Sequence, residues 1–259
     1  MTCDINDLAD FASLLADESR KVINKYFRKN ITISIKNDNT QATNVDIEVE
    51  ELLRQIIKNR YEGHQIVGEE IINEKKIDNS GIKWVLDPID GTRAFIHGKP
   101  TFGTLIAVIK NDLPIVGLID QPIQKERWIS FNNKTNYNGN LVKSSNNTDI
   151  NKARLEATSP LMFSEDSYKK FLKIVSSVSS VSWGADCYAY GMLANGYVDI
   201  VCEQGMKFWD YAALIPIIEG SGGKISDWTG KRLDETSDGA VLASANEKIH
   251  EKALKILNN

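Results

Sequence analysis

Acidic residues are spaced for metal chemistry at several places in the chain. The stretch WVLDPIDGTRAFIHGKPTFGT, Trp84 to Thr104, puts Asp87 and Asp90 three apart, with Pro88 between them and Gly91-Thr92 directly after. Pro88 fixes φ and forbids an ordinary helix through the pair, and Gly91 permits a tight turn. Both carboxylates and several main-chain groups therefore come to the end of a sheet. Such a concentration of hard oxygens suits Mg²⁺, which keeps part of its water shell. A turn whose aspartates merely cap backbone amides is an equal reading of DPIDGT alone. Other acids shift the balance. Glu69 and Glu70 end the strand-like QIVGEE, Asp210 opens a helical stretch after KFW, and Asp46 opens another in NVD. For Asp46 or Asp210 taken singly, complementing the helix dipole is reason enough. Adjacent Glu69 and Glu70 are harder to explain, because neighbouring acids resist burial unless something offsets their charge.

The elements that must position these residues follow from periodicity. A helix is expected over 4–28, a strand over 31–36, a polar loop from Asn37, and a helix from Val45 to Ile57. QIVGEE and IKWVLD read as short strands ending in acids, followed by strand-like runs at 102–109, 113–119 and 126–131. The polar stretch 132–153 is the internal boundary. It divides one compact unit into an α+β half, 1–140, carrying most of the acids, and an α/β half, 141–259, carrying Asp210. In the second half, strands are expected near 154–158, 180–183, 197–202, 223–227 and 240–244, and helices near 165–176, 185–195, 209–220 and 246–257. Trp84 and Trp183 read as packing residues at strand ends. Gly220, Gly222 and Gly223 follow a helix, not a strand, so they are read as close-packing residues and not as a nucleotide-binding loop.

Composition narrows the class. The chain has 259 residues, 42% hydrophobic, enough for a full core. The formal net charge is −4 with acids and bases interspersed, so no basic stripe marks nucleic acid as a partner. The acidic, amphipathic opening is not expected to be a secretory signal, and no run approaches the ~18 apolar residues of a membrane span. Cys3, Cys187 and Cys202 show no paired spacing and read as reduced thiols of a cytoplasmic protein. His64, His97 and His250 are scattered, so any metal is expected to be a hard ion on carboxylates.

GEE, then DPIDGT, then WDYAALIPIIEGSGG, in this order over about Lys36 to Ala245, resemble the inositol monophosphatase superfamily of Mg²⁺-dependent, lithium-sensitive phosphomonoesterases. The resemblance implies the layered αβαβα sandwich of the sugar phosphatases, a homodimer, and roughly two to three Mg²⁺ ions. It implies metal ligands at Glu69, Asp87, the Ile89 carbonyl, Asp90 and Asp210. Asp46 and Thr92 match the pair that activates the attacking water, with Glu69 alongside them. Gly91 and Thr92 would offer N–H groups to the phosphate, and Lys36 falls at a basic position of the active-site loop. Hydrolysis of a phosphate monoester needs neutralised phosphoryl oxygens, an acidified water and a stabilised leaving alkoxide, all of which Mg²⁺ can supply. Asp46 would take the water's proton. The cysteines lack a basic neighbourhood, so a metal-activated water is expected to attack directly, without a covalent phosphoenzyme.

Substrate choice is expected to depend on SWGADCYAYGMLANGYVDIVCEQGMKFWD, which holds Asp186 and Glu203. Two carboxylates around a leaving group suit a cationic ester, whereas a neutral polyol gains only hydrogen bonds. Asp186 also has an ordinary reading as a helix N-cap. DPIDGTRAFIHGKPTFGTLIA together with WGADCYAYG resembles the histidinol-phosphatase branch, which implies Asp186 at the substrate amine. Glu203 falls where inositol-specific members carry a glutamate that meets a substrate hydroxyl. Asp90, Asp186, Glu203 and Arg93 are the expected substrate contacts, with Arg93 open between the phosphate, a partner subunit and the surface. Lys207-Phe208-Trp209 departs from that branch's pattern without touching the metal chemistry. The leading expectation is a phosphatase of L-histidinol phosphate in histidine biosynthesis. An inositol-1-phosphatase or a broad sugar/nucleotide phosphatase is the alternative. A family member that only binds RNA or protein is the non-enzymatic one, and the intact acids argue against it.

Overall fold

The computed structural model describes residues 4–36, 40–71 and 81–259; Cys3 and residues 37–39 of the expected polar loop lie outside them. Helix α1 (Ile5–Tyr26) is capped by Asp4 and buries Leu8, Ala12, Leu15, Val22 and Ile23, the stripe its periodicity predicts. Strands β1 (Ile33–Ile35) and β2 (Gln41–Thr43) pair antiparallel. Strand β1 lies inside the strand expected over 31–36, whereas β2 turns part of the expected polar loop into strand. Helix α2 (Asn44–Arg60) begins at a capping box: Thr43 Oγ1 accepts from Val45 N, and Asp46 accepts from Thr43 N.

A seven-stranded sheet follows in chain order: β3 (Gln65–Gly68), β4 (Ile82–Asp90), β5 (Gly103–Lys110), β6 (Leu113–Gln121), β7 (Glu126–Phe131), β8 (Lys134–Tyr137) and β9 (Asn140–Leu141). Only β3 and β4 run parallel. The short helix α3 (Thr92–Ile96) lies between β4 and β5. Strands β8 and β9 come from the polar stretch read as a boundary. Asn132, Asn133 and Asn138 adopt positive φ there, which builds tight hairpin turns from residues that otherwise read as loop.

The remaining elements are β10 (Arg154–Ala157), α4 (Glu165–Val175), β11 (Ser180–Trp183), α5 (Cys187–Ala194), β12 (Ile200–Glu203), α6 (Phe208–Tyr211), α7 (Leu214–Gly220), β13 (Lys224–Ser226), β14 (Val241–Ser244) and α8 (Glu247–Asn258). Their sheet has the order β11-β10-β12-β14-β13, with β10 parallel to both neighbours. The helix expected over 209–220 is two helices. Pro216 would set its ring against the carbonyl of Ala212 in a continuous helix, and the break falls at Ala212–Ala213.

The elements stack in five layers. Trp84, Leu86, Ile106 and Val108 of the first sheet pack under α1 and α2, while Val85, Leu105, Ala107 and Ile109 face α5 and α7. Both faces of the central strands are covered, which is why they read as nearly continuous apolar runs. Val201, Val241 and Ala243 of the second sheet close the other side of that middle layer, and Leu155, Ile200 and Leu242 pack outward on α4 and α8. The result is the layered αβαβα sandwich. Gly220 lets α7 approach the first sheet, since a Cβ there would lie 2.4 Å from Ser130 Oγ. No helix of the described residues is long and apolar enough to cross a membrane.

His250 of α8 is buried, with Nε2 2.8 Å from Ser226 Oγ and Nδ1 3.2 Å from Ser244 Oγ. Burial pushes its pKa down to about 4, Glu247 opposing and Lys224 assisting. The unfolded chain therefore takes up this proton near pH 6.5, and the folded one only near pH 4. Stability is expected to fall across that window on acidification, by up to roughly 3 kcal/mol from this group. Denaturant titrations of the wild type and His250→Gln between pH 7 and 4 should show a shallower acid loss in the variant; parallel profiles would contradict the assignment.

Candidate metal and phosphate site

Strand β4 does not end at Asp87 as expected but runs through Pro88 to Asp90. Asp87 pairs with Leu105 and Asp90 with Gly103, so three steps on β4 oppose two on β5. This bulge accommodates the missing Pro88 N–H. It also has a consequence for side-chain direction. In a regular strand, residues three apart face opposite ways; one extra residue returns Asp87 and Asp90 to the same side. The bulge is held from beneath: Thr104 Oγ1 donates to Pro88 O at 2.8 Å, and Ser19 Oγ of α1 lies 2.6 Å from Thr104 Oγ1.

Carboxylate oxygens of Glu69, Asp87 and Asp210 come within 4.8 Å of one another. They arrive from the end of β3, from β4, and from α6. Asp87 Oδ1 accepts from Ile89 N at 3.0 Å. Asp210 Oδ2 accepts from Lys207 N at 2.7 Å, capping α6 and leaving Oδ1 unused by the helix. Asp90 Oδ2 accepts from Cys187 N at the start of α5, at 2.6 Å. The helix-end reading of Asp46 and Asp210 is therefore compatible with a further role, since capping takes one oxygen of each.

Electrostatics describe the same cluster. Burial, then Glu69, Asp90, Asp210 and Asp46, hold the Asp87 carboxyl well above its ordinary value. Burial, then Asp186 and Asp210, do the same for Asp90. Burial and Glu69 push Asp210 up to about 8, and burial raises Asp46 to about 6. Acids that raise one another in a poorly hydrated space call for a cation. An all-oxygen, carboxylate-rich donor set fits a hard divalent ion such as Mg²⁺.

Beside the cluster, Thr92 Oγ1 lies 3.0 Å from Ile89 O and 3.2 Å from Asp46 Oδ1. Thr43 takes the other Asp46 oxygen through its N–H and hydroxyl. Lys36 Nζ reaches Glu69 Oε1 and Glu70 Oε1, each at 2.7 Å. Burial raises Glu70 to about 7, against the Lys36 ammonium.

The other side of the site comes from the second half. Gly91 adopts φ 86, and a Cβ there would lie 2.9 Å from Asp186 Cβ, so the DPIDGT turn and the start of α5 are in direct contact. Asp186 stands at the N-cap position of α5, yet its side chain makes no capping hydrogen bond. Burial and Glu203 raise it to about 7, with Arg93 and Lys99 opposing. Glu203 is buried at the end of β12, accepting from Thr158 N at 2.8 Å and Tyr190 OH at 2.9 Å. Trp183 is exposed, its ring centroid 5.5 Å from that of Phe171. Several contributors escaped the sequence reading: Thr43, Tyr190, the Cys187 amide, and the buried pair Glu50–Arg54. Thr43-x-x-Asp46 and Glu50-x-x-x-Arg54 were visible as a capping box and an i,i+4 pair. The Cys187 amide and Tyr190 carry no local signal.

Asp186 has φ 47 and ψ −140, a conformation that glycine adopts freely and an aspartate does not. Asp186→Gly removes both this strain and a disfavoured charge. Its thermal midpoint at pH 8 is expected to rise by about 2–4 °C, or ~1 kcal/mol for a chain of this size. A lower midpoint by calorimetry would mean that contacts of the Asp186 side chain outweigh its backbone strain.

The model of the inositol monophosphatase family matches residues 4–259. Bifunctional phosphatase IMPL2, chloroplastic, of Arabidopsis thaliana is 45% identical over 98% of this chain and 76% of its own length. The histidinol-phosphatase of Chlorobaculum parvum is 30% identical over 95% of this chain and 94% of its own. Among solved structures, an inositol monophosphatase from Zymomonas mobilis superposes with a TM-score of 0.89 at 36% identity, covering 99% of this chain and all of that one.

Proposed function

We propose that this chain, which belongs to the inositol monophosphatase family, is a Mg²⁺-dependent phosphatase of L-histidinol phosphate. Glu69, Asp87, Asp90 and Asp210, with the Ile89 carbonyl, would hold the metal. Bound there, Mg²⁺ neutralises phosphoryl charge and acidifies water. Asp46 Oδ1 is the proton acceptor in this reading, because Thr43 occupies Oδ2 and Thr92 Oγ1 orients what approaches Oδ1. The N–H groups of Gly91 and Thr92, at the left-handed turn opening α3, would receive the phosphate.

The observation that carries the substrate assignment is Asp186. Its carboxylate touches the Gly91 turn, shares its field with Glu203, and caps nothing. A leaving group with an ammonium or imidazolium offsets those two charges, whereas a polyol does not. The histidinol-phosphatase among the relatives supports this reading. A place in histidine biosynthesis, a homodimer, lithium sensitivity and a cytoplasmic location belong to the same proposal. The second reading, an inositol phosphate ester, draws on the likeness to the Zymomonas mobilis enzyme.

Phosphate release from L-histidinol phosphate and myo-inositol-1-phosphate, with Mg²⁺ or EDTA, separates them. Histidinol phosphate should be preferred in kcat/KM by about tenfold or more, with activity lost in EDTA. Asp186→Asn should remove most of that preference while changing inositol phosphate turnover by less than about twofold. Equal losses on both esters would sink the role of Asp186, and no hydrolysis of either would sink the assignment.

A further inference from the structure

We infer that Glu50, together with Arg54, is a positioning residue that fixes the backbone of Glu69 from beneath; the inference rests on reading Glu69 as a metal ligand. Glu50 is fully buried on α2, one turn beyond Asp46. Both of its oxygens are committed to the segment after β3. Oε2 accepts from Glu70 N at 2.8 Å, and Oε1 accepts from Ile71 N at 3.2 Å and from Arg54 Nε at 2.7 Å. Arg54 closes the loop by donating Nη2 to Ile71 O at 3.1 Å. The carboxylate can reach this position because residue 68 is glycine: a Cβ there would lie 2.1 Å from Glu50 Oε1.

Glu70 and Ile71 are thus both held by one carboxylate that also packs against Gly68, with Glu69 between these residues and its own side chain near Asp87 and Asp210. A buried ion pair is weak evidence for stability, since apolar residues of the same volume often serve as well. Apolar residues could not, however, accept two successive backbone N–H groups or fix the peptides around a ligand. The same helix carries Asp46, so α2 sets the spacing between the proton acceptor and a metal-binding carboxylate. Partners that orient a ligating carboxylate typically change metal affinity by ~10–100-fold when altered.

Glu50→Gln keeps the size of the side chain. Whichever way the amide turns, its NH₂ faces either Glu70 N or the Ile71 N and Arg54 Nε pair, donor against donor. Mg²⁺ binding to the full chain would be measured by titration calorimetry and by the Mg²⁺-induced rise in Tm, with kcat in parallel. The expected result is a Kd for Mg²⁺ weakened about tenfold or more, with kcat at saturating Mg²⁺ reduced less than about threefold. Arg54→Lys should shift Kd in the same direction by less, and it decides the matter if Glu50→Gln does not fold. Arg154→Ala is the control: it breaks the 3.0 Å pair with buried Asp199 in the other sheet and should lower Tm without moving Kd. A folded Glu50→Gln with wild-type Mg²⁺ affinity overturns the inference, as does an equal shift in Arg154→Ala. A wild type that binds no Mg²⁺ overturns the metal reading and this inference together.

Discussion

Like-charge repulsion among buried carboxylates is the constraint around which this molecule is arranged. Burial and the neighbouring acids, Glu69 among them, raise the proton affinity of Asp46, Asp87, Asp90 and Asp210. Left free, such side chains would rotate apart into solvent. The fold prevents this by tying most of them to a backbone donor on an element with its own core: Asp46 to Thr43 N, Asp87 to Ile89 N, Asp90 to Cys187 N, Asp210 to Lys207 N. The repulsion is retained instead of relaxed, which leaves the cluster with a standing preference for a cation.

Two apolar layers supply the force that opposes it. The core beneath α1 and α2 fixes β4 and the α2 N-terminus, and the core between the sheets fixes α5, α6 and α7. The acids sit where these two cores meet, so neither layer can shift without the other. The bulge at Pro88–Ile89 is the local device that makes the meeting useful, because it turns two aspartates of one strand to one side. Its support by Ser19 and Thr104 links α1 to the site across the sheet.

The site is also divided by task. The first sheet, α2 and α6 contribute the acids proposed for metal and water, while the N-cap of α5 and the end of β12 contribute Asp186 and Glu203. The halves touch at Gly91, beside Asp186 with its positive φ of 47. In the proposed reading Asp186 and Glu203 would meet the leaving group, and relatives of this chain are named for different esters.

Much of this was legible in the chain. The αβαβα layering was legible only through the family resemblance carried by DPIDGT and WDYAALIPIIEGSGG; apolar periodicity by itself marked most helices and strands and an α+β half followed by an α/β half. Where the reading faltered, the reasons are local. Strand β2 is three residues within a polar run, β8 and β9 are short and bury little, and Pro216 divides a helix that hydrophobicity alone runs together. The acids were visible one at a time, each with an ordinary helix-end or turn explanation. What sequence could not contain is distance. That Glu69, Asp87 and Asp210 converge within 4.8 Å, that the Cys187 amide holds Asp90, and that Glu50 grips the segment carrying Glu69 are all facts about residues far apart in the chain. Residue type and spacing determined which groups could do chemistry. Only the packing of separate cores decided which of them share one low-dielectric space, because burial and charge coupling are properties of that space and not of any segment.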